Sequence, residues 1–272
     1  MKERAHMRSK NAGFSLIEAA VVLTLIGIVA GVILSGRSMM HRAELRSVLT
    51  DASSYATAIQ QFKIKYSYLP GDFPTATSVW GRADGGVPVT GNCVNIFVDS
   101  PDGIKTCNGD GDGIIEPLVL GSFELYQAWV QVSASGMING KFAGRALPNI
   151  GAIIGRNVPK GPMEGTGYSI GNGEVISDTL NSDYFVGNYT NSMLFGGAIV
   201  ERPTWGPALL PKEAFELDSK RDDALPSTGL IRGFKSTSVN NPNCVTAAGA
   251  YDETFRDPAC ALIFMDGFAT RP

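Results

Sequence analysis

The chain has 272 residues, with 23 Lys and Arg against 26 Asp and Glu, a net charge of −3, and four Cys. That length holds one sizeable core, and with Lys105, Lys141, Arg145 and Lys160 scattered rather than clustered there is no basic run to bind nucleic acid. An enzyme is not expected either: there is no P-loop or dinucleotide fingerprint, neither His6 nor His41 is placed for a triad, and four paired cysteines leave no free thiol nucleophile.

Residues 1–13, MKERAHMRSKNAG, carry Lys2, Arg4, Arg8 and Lys10 against Glu3. Such a basic leader predicts a cytoplasmic N-terminus. An apolar run follows. From Phe14 to Leu34 the only non-apolar side chains are Ser15, Glu18 and Thr24, and about 20 residues of this kind cross a hydrocarbon core. A carboxylate at the centre of such a span costs about 2.5–3.5 kcal/mol, so it needs a partner, unless it lies near enough to the helix end to reach headgroups. A secretory signal has its small-residue cleavage site behind the apolar region. Here the small residue, Gly13, stands in front of it, so a cut there leaves the apolar helix on the mature chain.

The stretch Gly13-Phe14-Ser15-Leu16-Ile17-Glu18 resembles the processing site of type IV pilins and of the pseudopilins of type II secretion. The resemblance implies that a prepilin peptidase cuts between Gly13 and Phe14 and that Phe14 is N-methylated. It also implies that Glu18, then the fifth residue, meets the N-terminal amine of a neighbouring subunit during filament assembly. The physics agrees, because opposite charges attract strongly at low dielectric and an unpaired buried charge is expensive. Phe14 and Glu18 are thus the expected assembly residues. Removing residues 1–13 takes four of the 23 basic and one of the 26 acidic residues, which leaves 19 against 25 and a net charge of −6. The partners implied are copies of this chain or other pilins, the peptidase, an inner-membrane assembly platform and the inner membrane itself. The implied location is a single pass of the inner membrane with the head in the periplasm, then a periplasmic or extracellular filament.

Past the apolar run, Leu45, Val48, Leu49, Ala52, Tyr55, Ala56, Ile59, Phe62 and Tyr66 recur at steps of three and four. This predicts one amphipathic stripe on a helix that continues to about Lys65. Gly27 and Gly31 form a GxxxG step, either a close-approach site or a soft point. Pro70-Gly71 and Pro74 end the helix in a turn that would bury Tyr68, Phe73 and Trp80. Beyond it, NIFV (95–98), MLFGGAIV (193–200) and ALIFM (261–265) read as strands. Residues 122–138 and 211–223 read as short helices, the second with Pro211 in its first turn. The expected class is α+β, a long N-terminal helix packed on an antiparallel sheet head with extended loops, as in pilins. The expected division is a leader at 1–13, a membrane or filament-core helix at 14–36, an amphipathic helix at 37–67 and a head at 68–272.

Four cysteines permit three connectivities. The local ones, Cys93–Cys107 and Cys244–Cys260, each close a loop of about 15 residues, worth roughly 3 kcal/mol in the chain-entropy model, and a head outside the cytoplasm favours disulfides. Zinc is the rival, but no CxxC occurs. After Cys107 comes NGDGDGIIE, the first half of an EF-hand-type calcium loop. Asn108, Asp110 and Asp112 take positions 1, 3 and 5, Ile114 supplies the position 7 carbonyl, and Glu116 is position 9. Val119 stands where the bidentate Glu belongs, so the shell would close through Glu124, Asp102 or Asp99. The other reading is a bare Gly-Asp turn. Asp218, Asp222 and Asp223 lie near Lys212, Lys220 and Arg221, which predicts helix-face ion pairs, with a second calcium site as the alternative. LPSTG (225–229) matches a sortase signal literally but lacks the apolar tail. Asn188-Tyr189-Thr190 is a short sequon that arises often by chance. Two functions remain: a filament subunit, or a membrane-tethered, non-polymerising calcium-dependent adhesin or binding module.

Overall fold

The structure is a computed structural model that describes residues 15–83, 93, 100, 102–116, 124–144, 151–172, 191–199, 202–233, 244–246 and 248–268. The leader, Gly13, Phe14, the 95–98 segment, Asp99, Val119 and the 188–190 sequon lie outside them.

Helix α1 runs from Leu16 to Tyr66 without a break. No proline interrupts it, and Ser67, at φ 64°, leads into the Pro70-Gly71 turn. Two short helices follow, α2 (Ala76–Trp80) and α3 (Glu124–Ala134), then strands β1 (Thr166–Asn172) and β2 (Asn191–Gly197), helix α4 (Pro211–Arg221), and strands β3 (Ile231–Gly233) and β4 (Leu262–Phe264). The four strands form one antiparallel sheet in the order β1-β2-β4-β3. This is the α+β class that the sequence predicts, and it is consistent with a pilin-like fold.

The chain divides into two units, Met1–Glu44 and Leu45–Pro272. In the second unit α1 supplies Leu45, Val48, Ala52, Ile59 and Phe62 to a core shared with Tyr126 and Trp129 of α3 and with Tyr168, Ile170, Met193, Phe195, Leu262 and Phe264 of the sheet. The alternation of the strands sends Leu194, Ile263 and Met265 to the other face, where Trp205 and Ala261 cover them. Tyr168 anchors its strand on α1 by donating its hydroxyl to the Val48 carbonyl at 3.2 Å.

Helix α3 is buried along most of its length, and its polar residues fall on one stripe. Gln127 accepts from the Thr106 hydroxyl at 2.8 Å and donates to the Gly144 carbonyl at 2.7 Å. Gln131 accepts from the Gly71 N–H at 2.7 Å. A buried helix can carry such groups only because each finds a partner. At the start of α4, Pro211 sits where its missing N–H is harmless, and the Glu213 carboxylate accepts from the Leu210 N–H at 2.9 Å. Cys93 is bonded to Cys107, and Cys244 to Cys260. The second bond ties the 244–246 segment to Cys260, two residues before β4, and Cys260 exchanges backbone hydrogen bonds with Leu209.

Two expectations change. Of the turn aromatics, Phe73 is buried and Trp80 half-buried, but Tyr68 is exposed, its ring stacked on Phe73 at 5.7 Å. The acids of α4 do not pair along the helix: Asp218 turns inward, Asp222 and Asp223 bind the following loop, and Arg221 reaches Asp266 at 2.8 Å. A further finding is that 166–172, not among the runs that the sequence singles out as strands, forms the longest register of the sheet with β2.

Candidate functional site

Two regions carry chemistry. The first is the N-terminal part of α1. Every large apolar side chain described between Leu16 and Ile33 is at least 47% exposed, and Leu16 is 90% exposed. Nothing in the described chain covers them, and Gly27 and Gly31 have open space on their Cα faces. Burying one such side chain is worth about 1.5–3 kcal/mol, so this surface favours lipid or other apolar partners over water. The helix is long and apolar enough to cross a membrane. Glu18 lies at its start. Its Oε2 accepts from the Ser15 N–H at 3.1 Å, which satisfies one of the orphan donors of the first turn and leaves the charge without a cation among the described residues.

The second region is an acidic loop. Asp110 Oδ1 accepts from the Asp112 N–H at 3.1 Å, and Asp112 Oδ1 from the Ile114 N–H at 2.7 Å, so consecutive Asx turns coil residues 110–114. Asp72, from the turn after α1, enters this coil. Its two oxygens accept from the N–H groups of Gly111 at 2.6 Å and Gly113 at 2.9 Å. Glu124, from the first turn of α3, closes the other side, accepting from the N–H groups of Asp110 at 3.2 Å and Glu116 at 3.3 Å. Glycine is required where these segments touch. Gly71 has φ 91°, and a Cβ on it would lie 2.5 Å from the Glu124 carbonyl oxygen, while a Cβ on Gly109 would overlap the Asp72 backbone.

The carboxylates converge. One oxygen each from Asp72, Asp110 and Asp112 lie within 4.8 Å of one another, and so do those from Asp110, Glu116 and Glu124. Burial, then the Glu116 carboxyl, then the Asp72 charge push the Glu124 carboxyl well above its ordinary range. Burial likewise lifts Asp72 to about 6, against the pull of its two N–H donors. Glu116 Oε2 is buried with no hydrogen-bond partner. Such a set of hard oxygens, short of positive charge, fits a divalent cation.

Of the residues that the sequence marks for a cation, Asp110, Asp112 and Glu116 are in this cluster. Asn108 faces α2 instead, its Oδ1 accepting from the Thr77 N–H at 2.8 Å. Ile114 is placed by its bond to Asp112. Among the three candidates for closing the shell, Glu124 is present. Asp102 is not, since it accepts from the N–H groups of Ile104 and Lys105, which hold its carboxyl below its ordinary range. Asp72 carries no sequence signal beyond its place behind Pro70-Gly71.

A third carboxylate group is satisfied internally. Asp218 accepts from the Tyr251 hydroxyl at 2.8 Å and the Ala224 N–H at 3.3 Å. Burial raises it to about 6 and the tyrosine bond opposes the rise. Asp222 accepts from the N–H groups of Leu230 and Ile231, and Asp223 from the Leu225 N–H and the Thr228 hydroxyl. These bonds build the 222–231 loop.

Residues 8–34 match the prokaryotic N-terminal methylation motif, the leader motif of type IV pilins and pseudopilins. The match spans the Gly13-Phe14 junction, Glu18 and the exposed apolar helix, and it implies peptidase processing and pilin-type assembly. It points to a structural rather than a catalytic protein. No curated protein and no solved structure matches the chain.

Proposed function

We propose that the chain is a structural subunit, a pilin or pseudopilin of a type IV pilus or type II secretion filament. It is cut between Gly13 and Phe14, methylated at Phe14, held in the inner membrane with its head in the periplasm, and packed through its N-terminal helix into a filament. The observation that carries this reading is the coincidence of the methylation motif with an apolar helix whose side chains are exposed among the described residues. In the membrane, lipid covers them. In a filament, the same helices of neighbouring copies do so.

The mechanism is an exchange of solvent. While the subunit is in the bilayer, the partner of Glu18 among the described residues is the Ser15 N–H. In the filament the new amine of a neighbouring Phe14 meets it, and a wrong register leaves a charge unpaired where that is most costly. Glu18 thus selects register as well as adding affinity. Intact mass and N-terminal sequencing of the native protein test the reading. A chain that starts at methylated Phe14 and occurs in sheared surface fractions is the expected result. An uncut chain confined to membranes overturns it. Glu18→Ala should leave cleavage in place and reduce filament yield at least tenfold.

We infer further that calcium is the cation of the acidic loop, held by Asp72, Asp110, Asp112, Glu116 and Glu124. The orphaned Glu116 oxygen and the buried Glu124 carboxyl support it. Calcium would supply positive charge that ties the turn after α1 to the start of α3, and millimolar affinity suffices outside the cell. The same cluster favours the second reading, a tethered calcium-dependent adhesin, if the processed chain proves never to polymerise. Calcium should raise the melting temperature of the full chain, and Asp110→Ala with Asp112→Ala should abolish the response. An unchanged response in the double variant would rule out this site.

A further inference from the structure

Past the apolar run the helix carries charge that no described residue answers. Arg37 and Arg42 are exposed. Positions three and four residues away on either side hold Ile33, Leu34, Met40 and His41 for the first, and Ser38, Met39, Leu45 and Arg46 for the second, so neither has a helix-face carboxylate. The nearest acid, Glu44, lies 3.5 Å from His41 Nδ1. The other ion pair among the described residues joins Arg221 to Asp266, far along the chain. Between the two arginines, Met39 and Met40 are 72% and 66% exposed.

We propose that Arg37 and Arg42 bind the phosphate groups of anionic phospholipids at the end of the span opposite the leader; the proposal rests on reading Leu16–Leu34 as a membrane helix. Three features favour a lipid surface over one protein partner. Five residues on an α-helix turn through about 140°, so the two guanidiniums point to different sides of the axis. A docked partner would meet one side, whereas headgroups surround the helix. The guanidinium fork matches two phosphate oxygens at once, and its long stem can lie along apolar surface while the charge stays at headgroup height. The exposed methionines beside them suit the same boundary, which is apolar below and polar above.

The arrangement has a consequence for assembly. Before processing, cations flank the span at both ends, with Lys2, Arg4, Arg8 and Lys10 on the leader side and Arg37 and Arg42 on the other. Cleavage after Gly13 removes the first set. The headgroup contacts of Arg37 and Arg42 then become the polar hold on the bilayer, and they must be released as the subunit leaves it.

The test uses the full chain reconstituted in nanodiscs of mixed phosphatidylglycerol and phosphatidylcholine, with native mass spectrometry of the lipids it retains. Wild type should keep phosphatidylglycerol in preference, less so at high salt. Each basic residue near an anionic surface contributes about fivefold, so Arg37→Gln with Arg42→Gln should lower the preference about thirtyfold. Arg37→Lys with Arg42→Lys should keep most of it. An equal lipid preference in wild type and the Gln variant overturns the proposal. So does an unchanged preference accompanied by lost filament assembly, which would assign the guanidiniums to acids of a neighbouring copy. Extraction with alkaline carbonate separates the premises. If wild type is released by carbonate, the membrane reading fails along with the proposal. If it resists carbonate yet shows no lipid preference, only the proposal fails.

Discussion

Helix α1 is one element with two kinds of surface. From Leu16 to Ile33 its apolar side chains point in every direction and all are exposed, while from Leu45 to Phe62 they recur at three and four, and Val48, Ile59 and Phe62 are fully buried. The hydrophobic effect is non-directional, so apolarity alone says only that a surface leaves water. Periodicity says where it goes. A stripe can be covered by one partner on one side, and here the head provides it. An all-round apolar surface needs a medium, either lipid or a ring of like helices.

The comparison can be broken or sharpened by experiment. Phe62→Ala should have the largest effect, a loss of about 3–5 kcal/mol from the head in chemical denaturation, because the ring is fully buried among Tyr66, Phe73 and Trp80. Replacing Cys244 and Cys260 together by serine should cost about 3 kcal/mol, since the bond closes a separation of 16 residues.

The acidic loop supplies a pH test that belongs to the head alone. Without calcium, burial and the neighbouring Glu116 carboxyl keep the Glu124 proton bound in the folded state well above the pH at which the unfolded chain releases it. The folded chain therefore binds more protons across that window, and stability falls as pH rises. The calcium-free protein should melt lower at pH 8 than at pH 5, and Glu124→Gln should flatten the slope. Added calcium should help most at pH 8, where the competing proton is scarcer. An apo form that gains stability as pH rises, in a way that Glu124→Gln removes, would contradict the burial of this carboxyl.

The smallest effect should come from Val29→Ala, whose side chain is 56% exposed. The change in head stability should stay within about 0.5 kcal/mol. A loss as large as that of Phe62→Ala would show that the N-terminal segment packs on its own chain, and the contrast between the halves of α1 would fall.

Some of the head was legible in advance because it follows local rules. Helices α3 and α4 have a periodic apolar face, and Pro211 marks a start. Strand β2 is an apolar run, as is β4. Strand β1 was not legible, because TGYSIGN is composed of turn formers with only Tyr168 and Ile170 to suggest a core face. Its extended form comes from seven residues of pairing with β2, which outweighs weak local preference. Tyr68 was expected inside because it is aromatic, yet an amphipathic ring can lie on the surface with its apolar side against Phe73.

The acidic loop divides in the same way. Alternating Asp and Gly over 108–113 announces a tight turn with inward oxygens, since the signal is contained in consecutive residues. Asp72 and Glu124 stand 38 residues before Asp110 and 14 after it, and no local pattern assigns them to it. Their arrival depends on α1 ending at Pro70-Gly71 and on α3 starting where its polar stripe can meet that turn. In the same way, Asp218 looked like one more charge on a helix surface until Tyr251, 33 residues on, covered it.

The sequence by itself determined what depends on neighbours in the chain: the leader motif, the uncharged run around Glu18, the length of α1, the stripe that begins at Leu45, and the Asx-turn character of the loop. Tertiary structure alone decided what depends on distant segments meeting: the pairing of β1, the order β1-β2-β4-β3, and the gathering of five carboxylates from three segments. The physical reason is range. Backbone sterics and periodic burial act over a few residues, whereas a cluster of carboxylates from distant segments exists only once the core has brought its parts together.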